Sequence, residues 1–121
     1  MSWSFAIYGR ILGYRRPRDK PSKHIKYKDY VAYKEKVRIL ARQSGFTMSV
    51  DGPQRKGVRY TLSVRVYWGG PAISDWSNVY KAIEDAIFKA DRYVIPASSQ
   101  GMEWDTGFDD RVTVEIWETT P

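Results

Sequence analysis

With 121 residues, 42% of them apolar and 15% aromatic, the chain has enough to bury for one domain, 1–121, and is small enough to gain from dimerisation. It has no cysteine, which excludes disulfides and thiolate metal sites and points to a reducing cytoplasm; its one histidine, His24, makes no zinc cluster, and no apolar run approaches the ~20 residues that span a bilayer. Lysine and arginine outnumber aspartate and glutamate 20 to 14, a net charge of +6, which favours polyanionic partners because phosphate neutralisation drives nucleic acid binding.

Trp3 to Tyr8 is short and rich in aromatic and aliphatic residues, and predicts a first strand. From Gly9 to Lys23, proline and glycine break regular structure while Arg10, Arg15, Arg16, Arg18, Lys20 and Lys23 gather. This segment is either a solvated surface loop or a phosphate-gripping arm with Tyr14 available for stacking. A helix is predicted from Asp29 to Ser44, with Asp29 as N-cap, Tyr30, Tyr33, Val37, Leu40 and Ala41 at helical spacing, and Gly45 as the stop. Its other face carries Lys34, Lys36, Arg38 and Arg42, a solvated face with no assigned role.

Phe46 to Gly57 reads as loop. Tyr60, Leu62, Val64, Val66 and Trp68 then alternate with Thr61, Ser63, Arg65 and Tyr67, the clearest strand in the chain, closed by Gly69-Gly70-Pro71. The stretch from Asp75 to Asp91 predicts a second helix, with Asp75 at its start, Asp91 just past its end, and Val79, Ala82, Ile83, Ala86, Ile87 and Ala90 on one face. Asp91 to Ile95 predicts a short strand ended by Pro96, Ala97 to Asp110 a loop or hairpin, and Arg111 to Ile116 a closing strand. The sum is an α+β domain: a small mixed sheet with two helices packed on one face, expected to form a homodimer.

On the second helix, Asn78, Lys81 and Asp85 share a stripe ~60° wide, an amide, an ammonium and a carboxylate within reach of one another. A Lys–Asp pair at this spacing is often only a solvated surface pair. Asp75 just upstream and Asp91 at the far end add acids where the backbone changes direction, which favours a site.

The order Asp75-x-x-Asn78-x-x-Lys81-x-x-x-Asp85-Ala86, followed by Asp91-Arg92, resembles the RusA-type Holliday junction resolvases, whose pattern is D-x-D-N-x-x-K-x-x-x-D-A and then D-D-x-x-V. Tyr8 to Arg18 resembles that family's opening strand and basic loop, Tyr30 to Ala41 its first helix, and the strands at Tyr60–Trp68 and Arg111–Ile116 fall where the family has strands.

The resemblance implies a metal-dependent endonuclease that nicks four-way DNA junctions, used in DNA recombination and repair and often carried by phages and prophages. Asp75 and Asp91 would be ligands of Mg²⁺, or Mn²⁺ in its place, and Lys81 the catalytic ammonium. Asn78 and Asp85 would orient the site, and Arg15, Arg16, Arg18, Lys20 and Lys23 would contact DNA. A homodimer would place two such sites on one nearly two-fold junction. Where the family has its second aspartate this chain has Ser77, and where the family pairs two acids it has Ala90-Asp91, with Asp109-Asp110 a second-ranked acidic pair. Fewer carboxylates imply weaker metal binding, so the alternative is a relative that binds DNA junctions and does not cleave them.

Overall fold

The computed structural model describes residues 2–15, 26–47, 58–88, 94–97 and 100–119. Alternation builds the sheet. In β2 (Arg59–Trp68) the side chains of Tyr60, Leu62, Val64, Val66 and Trp68 are buried, the face that a period of two predicts. β5 (Arg111–Thr119) runs antiparallel to it with Ile116 opposite Leu62, Val114 opposite Val64 and Val112 opposite Val66, all buried. This register is well specified, because a slip of one residue would turn the whole apolar row to the other face. β1 (Ser2–Tyr8) completes that side, antiparallel to β5.

The other side of β2 carries two short parallel strands, β3 (Val94–Pro96) and β4 (Gly101–Trp104), so the sheet is mixed. They leave a gap opposite Val64. Side chains close it: the Gln100 amide oxygen accepts from the Val64 N–H at 3.1 Å, and the Trp76 indole N–H donates to the Val64 carbonyl at 2.9 Å. Both orphaned backbone groups are thereby satisfied.

Two helices, α1 (Tyr27–Gln43) and α2 (Trp76–Ile87), pack against each other and onto the sheet, α1 against β1 and α2 against β2. The result is the expected small α+β fold. Val37 and Tyr33 from α1 and Val79 and Ile83 from α2 join the buried strand residues in one core.

Beyond shifts at strand ends, such as β5 running on to Thr119 instead of Ile116, the structure departs from the sequence expectation in three places. α1 begins two residues before Asp29: its N-cap is Lys26, and Asp29 is the third helical residue, its carboxylate accepting from the Lys26 N–H at 2.8 Å. Asp29 thus supplies the inner half of a capping box rather than the cap itself, and Lys26, which has no side-chain acceptor, leaves the other half unmade. α2 stops at Ile87, short of the expected Ala90, because Phe88 turns extended (φ −113°, ψ 136°). On the helical wheel Phe88 lies ~180° from Val79, so a continued helix would have pushed it into water. By leaving the helix it packs against the Phe46–Tyr60 pair, at ring-centroid distances of 5.6 and 5.8 Å. Finally, the expected loop or hairpin from Ala97 to Asp110 contains β4, and its chain crosses to the far side of β2 to form β5, so it is no hairpin.

Candidate active site

The first turn of α2 is a capped terminus. Asp75 Oδ1 accepts from the Asn78 N–H and from the Ser77 hydroxyl, both at 2.9 Å. Aspartate is a strong N-cap because its carboxylate satisfies helix N–H groups that have no partner within the helix. The Asn78 N–H bond first, and then the Ser77 hydroxyl, hold the Asp75 carboxyl below its ordinary value of 3.8. Asp75 is therefore an anion at neutral pH. Both bonds fall on one oxygen, and Oδ2 has no hydrogen-bond partner among the described residues. The Trp76 bond to Val64 fixes this turn to the sheet.

The segment after β1 docks onto the same helix. The Tyr14 N–H donates to the Asn78 carbonyl at 3.0 Å, and Gly13 lies so close to Ser74 and Asn78 that a Cβ would collide with the Ser74 hydroxyl. A side chain at this position would have to displace the Ser74 hydroxyl and crowd the Asn78 Cβ. The contact carries Tyr14 over α2, where the Lys81 ammonium sits 4.4 Å from the centre of its ring. At that distance the ring quadrupole attracts the cation. Arg15, next in the chain, is half-buried at the same place. Arg16, Arg18, Lys20 and Lys23 lie outside the described residues, as does Asp91.

Asp85 points elsewhere. Its Oδ2 accepts from the Tyr30 hydroxyl at 3.0 Å and pairs with Lys34 Nζ at 3.1 Å, both from α1. Burial first, then the Asp85 charge, drives the Tyr30 phenol well above its ordinary value, so it stays a protonated donor. Tyr30 also meets Tyr14 edge to face, with centroids 6.0 Å apart. The expected stripe is thus divided: Asp75, Ser77 and Asn78 form one hydrogen-bonded turn, Lys81 lies against the Tyr14 ring, and Asp85 ties α2 to α1. Sequence reading missed Tyr30 and Lys34 as partners of Asp85, since 55 and 51 residues separate them and no local pattern marks the pairing.

Mg²⁺ takes hard oxygen donors, and one or two carboxylates with retained waters suffice. Asp75 Oδ2 is a donor of this kind, whereas the neutral Ser77 hydroxyl, already bonded to Asp75 Oδ1, is a far poorer one. Among the described residues no three histidine, aspartate or glutamate side chains gather as a metal cluster. Asp110, of the second-ranked acidic pair, is engaged: its Oδ1 accepts from the Gly69 N–H at 2.7 Å and its carbonyl from the Gly9 N–H at 2.9 Å. Among the described residues no helix is long and apolar enough to cross a membrane. Compared with known proteins, the chain matches no family model and no curated protein.

Proposed function

We propose that this chain is a metal-dependent, structure-selective endonuclease that hydrolyses phosphodiester bonds at four-way DNA junctions, working as a homodimer in the cytoplasm. The observation that carries this reading is the turn itself: an anchored, ionised Asp75 at the start of α2, with Tyr14 of the docked basic segment bonded to the Asn78 carbonyl of that turn and covering Lys81 further along the helix. Asp75, with Asp91 from outside the described residues, would hold Mg²⁺ or Mn²⁺, which when bound neutralises phosphate charge and lowers the pKa of a bound water.

The chain's own residues supply the rest. The Lys81 ammonium, kept from swinging freely by the Tyr14 ring, stabilises negative charge that develops on the phosphate oxygens. Asn78 and Ser77 fix the orientation of the Asp75 carboxylate. Arg15 and the arginines and lysines that follow it bind flanking phosphates without reading sequence.

A second reading is a junction-binding protein that does not cut. Ser77 favours it, because this hydroxyl is spent on Asp75 Oδ1 at the position where a second carboxylate would strengthen metal binding. Nicking of a synthetic four-way junction in Mg²⁺, with EDTA as control, separates the two. The nuclease reading expects cleavage that is abolished in Asp75→Asn and falls about 10²- to 10³-fold in Lys81→Ala. Asparagine caps a helix as well as aspartate does, so an inactive Asp75→Asn reports the carboxylate's charge and not a frayed helix. Junction binding without cleavage by the wild-type chain supports the second reading.

A further inference from the structure

The far end of α2 lines a groove of about 610 Å³ against the C-terminal half of α1. Its floor is apolar, formed by the buried Ala41, Phe46, Ala86 and Phe88. One wall is cationic. Lys34, Arg38 and Arg42 follow at four-residue spacing on α1 and climb it in steps of ~6 Å, spanning ~12 Å in all. Among the described residues Asp85 is the one carboxylate in the lining, and it is already paired with Lys34.

Two features separate this stripe from an ordinary solvated helix face. It walls a concave space with an apolar floor, and its middle cation is fixed in place. Arg38 Nε donates to the Ala86 carbonyl of the facing helix at 2.9 Å, and Nη1 donates to Glu35 at 3.0 Å. A guanidinium has five N–H groups, so the Nη2 pair is left over for an oxygen ligand. Arg42, at the open end, is exposed.

We infer that this groove grips the sugar–phosphate backbone of a nucleic acid strand. Cations strung over ~12 Å suit a linear polyanion, whose charges recur every ~3.4 Å of axis along each strand, better than they suit one small anion. The apolar floor suits the sugars between the phosphates. Asp85 and Phe88 lie ten and thirteen residues beyond Asp75, so the grip is ~15–20 Å along α2 from the proposed catalytic turn, roughly five base pairs of duplex. The inference rests on the nucleic acid reading above and adds a second contact to the same partner.

Fluorescence anisotropy of a labelled duplex and a labelled four-way junction tests it, in EDTA and over a salt series from about 50 to 200 mM. Wild type is compared with Arg42→Gln, Arg42→Lys and the double variant Arg38→Gln/Arg42→Gln. Removing one cation from a phosphate flattens the log–log salt dependence by about 0.9, so the slope should fall by ~0.9 in Arg42→Gln and by ~1.8 in the double variant, with affinity down about tenfold or more at low salt. Arg42→Lys keeps the charge and should keep the slope. Arg42 is exposed, so its single substitution carries the test even if the double variant unfolds.

Unchanged slope and affinity in Arg42→Gln overturn the inference, and so does a wild-type chain that binds neither DNA. Junction nicking by the wild type together with an unchanged slope in the variants removes the groove and leaves the nuclease standing. Groove-dependent binding by a chain that nicks nothing does the reverse. If inorganic phosphate shifts the Phe46 and Phe88 amide resonances while duplex binding ignores Arg42, the groove is a small-anion site and the inference fails.

Discussion

The Asp75 carboxylate is used on one side only: Oδ1 caps α2, and Oδ2, without a hydrogen-bond partner among the described residues, is the oxygen proposed to meet a metal ion. Its folded-state pKa lies below the unfolded value of about 3.9, so the stability it contributes is complete above that value and is lost as pH falls through the lower folded-state one. Following the Asp75 carboxyl carbon by NMR should therefore give a midpoint under 3.8, and Ser77→Ala should raise it by removing one of the two donors. A midpoint at the ordinary value in the wild-type chain would mean that the cap is not formed in solution. Tyr14 has its own signature at this scale. Tyr14→Phe should preserve the ring-current shift of the Lys81 ε-methylene protons and Tyr14→Leu should abolish it, read by two-dimensional NMR. Asp75, Asn78 and Lys81 were legible in the sequence because their spacing is local. The direction in which Asp85 turns was not, since α1 decides it.

Among the elements, α2 shows what periodicity reaches and where it stops. The apolar face was plain from Val79 to Ile87, but the helix end depends on Phe88 finding Phe46 and Tyr60, residues distant in sequence. β4 was hidden for a related reason: Gly-Met-Glu-Trp has no alternation of its own and becomes a strand only by pairing with β2. Long strands with one buried face, such as β2 and β5, needed no such help. Two substitutions probe the joints between elements. Gly69→Ala places a Cβ against the Phe108 backbone carbonyl, which cannot move aside as a side chain could, and should destabilise the fold by at least ~2 kcal/mol in denaturant unfolding. Tyr30→Phe removes the hydroxyl that joins α1 to the Asp85 carboxylate and should cost about 1 kcal/mol, discounted for the exposure of Asp85. No loss in Tyr30→Phe would show that this tie contributes nothing to helix docking.

Over the whole molecule, the excess of positive charge acquires a geometry. One part begins at Arg15, docked beside the first turn of α2, and another runs along α1 beside the last turn, so a single helix has a cationic feature near each end. Composition alone gave the sign of the charge, and only the packing of α1 on α2 placed the second part. The fold class followed from patterning, whereas the proposed homodimer rests on the two-fold character of the proposed substrate. The claim on which the nuclease reading depends is that the N-terminal turn of α2 receives a divalent cation. Adding Mn²⁺ to isotope-labelled protein and recording amide relaxation tests this directly. The Ser77 and Asn78 amides should broaden first, and Asp75→Asn should abolish the effect. Broadening centred on Asp109 and Asp110 instead, or none near Asp75 at Mn²⁺ concentrations that support any cleavage, would contradict it.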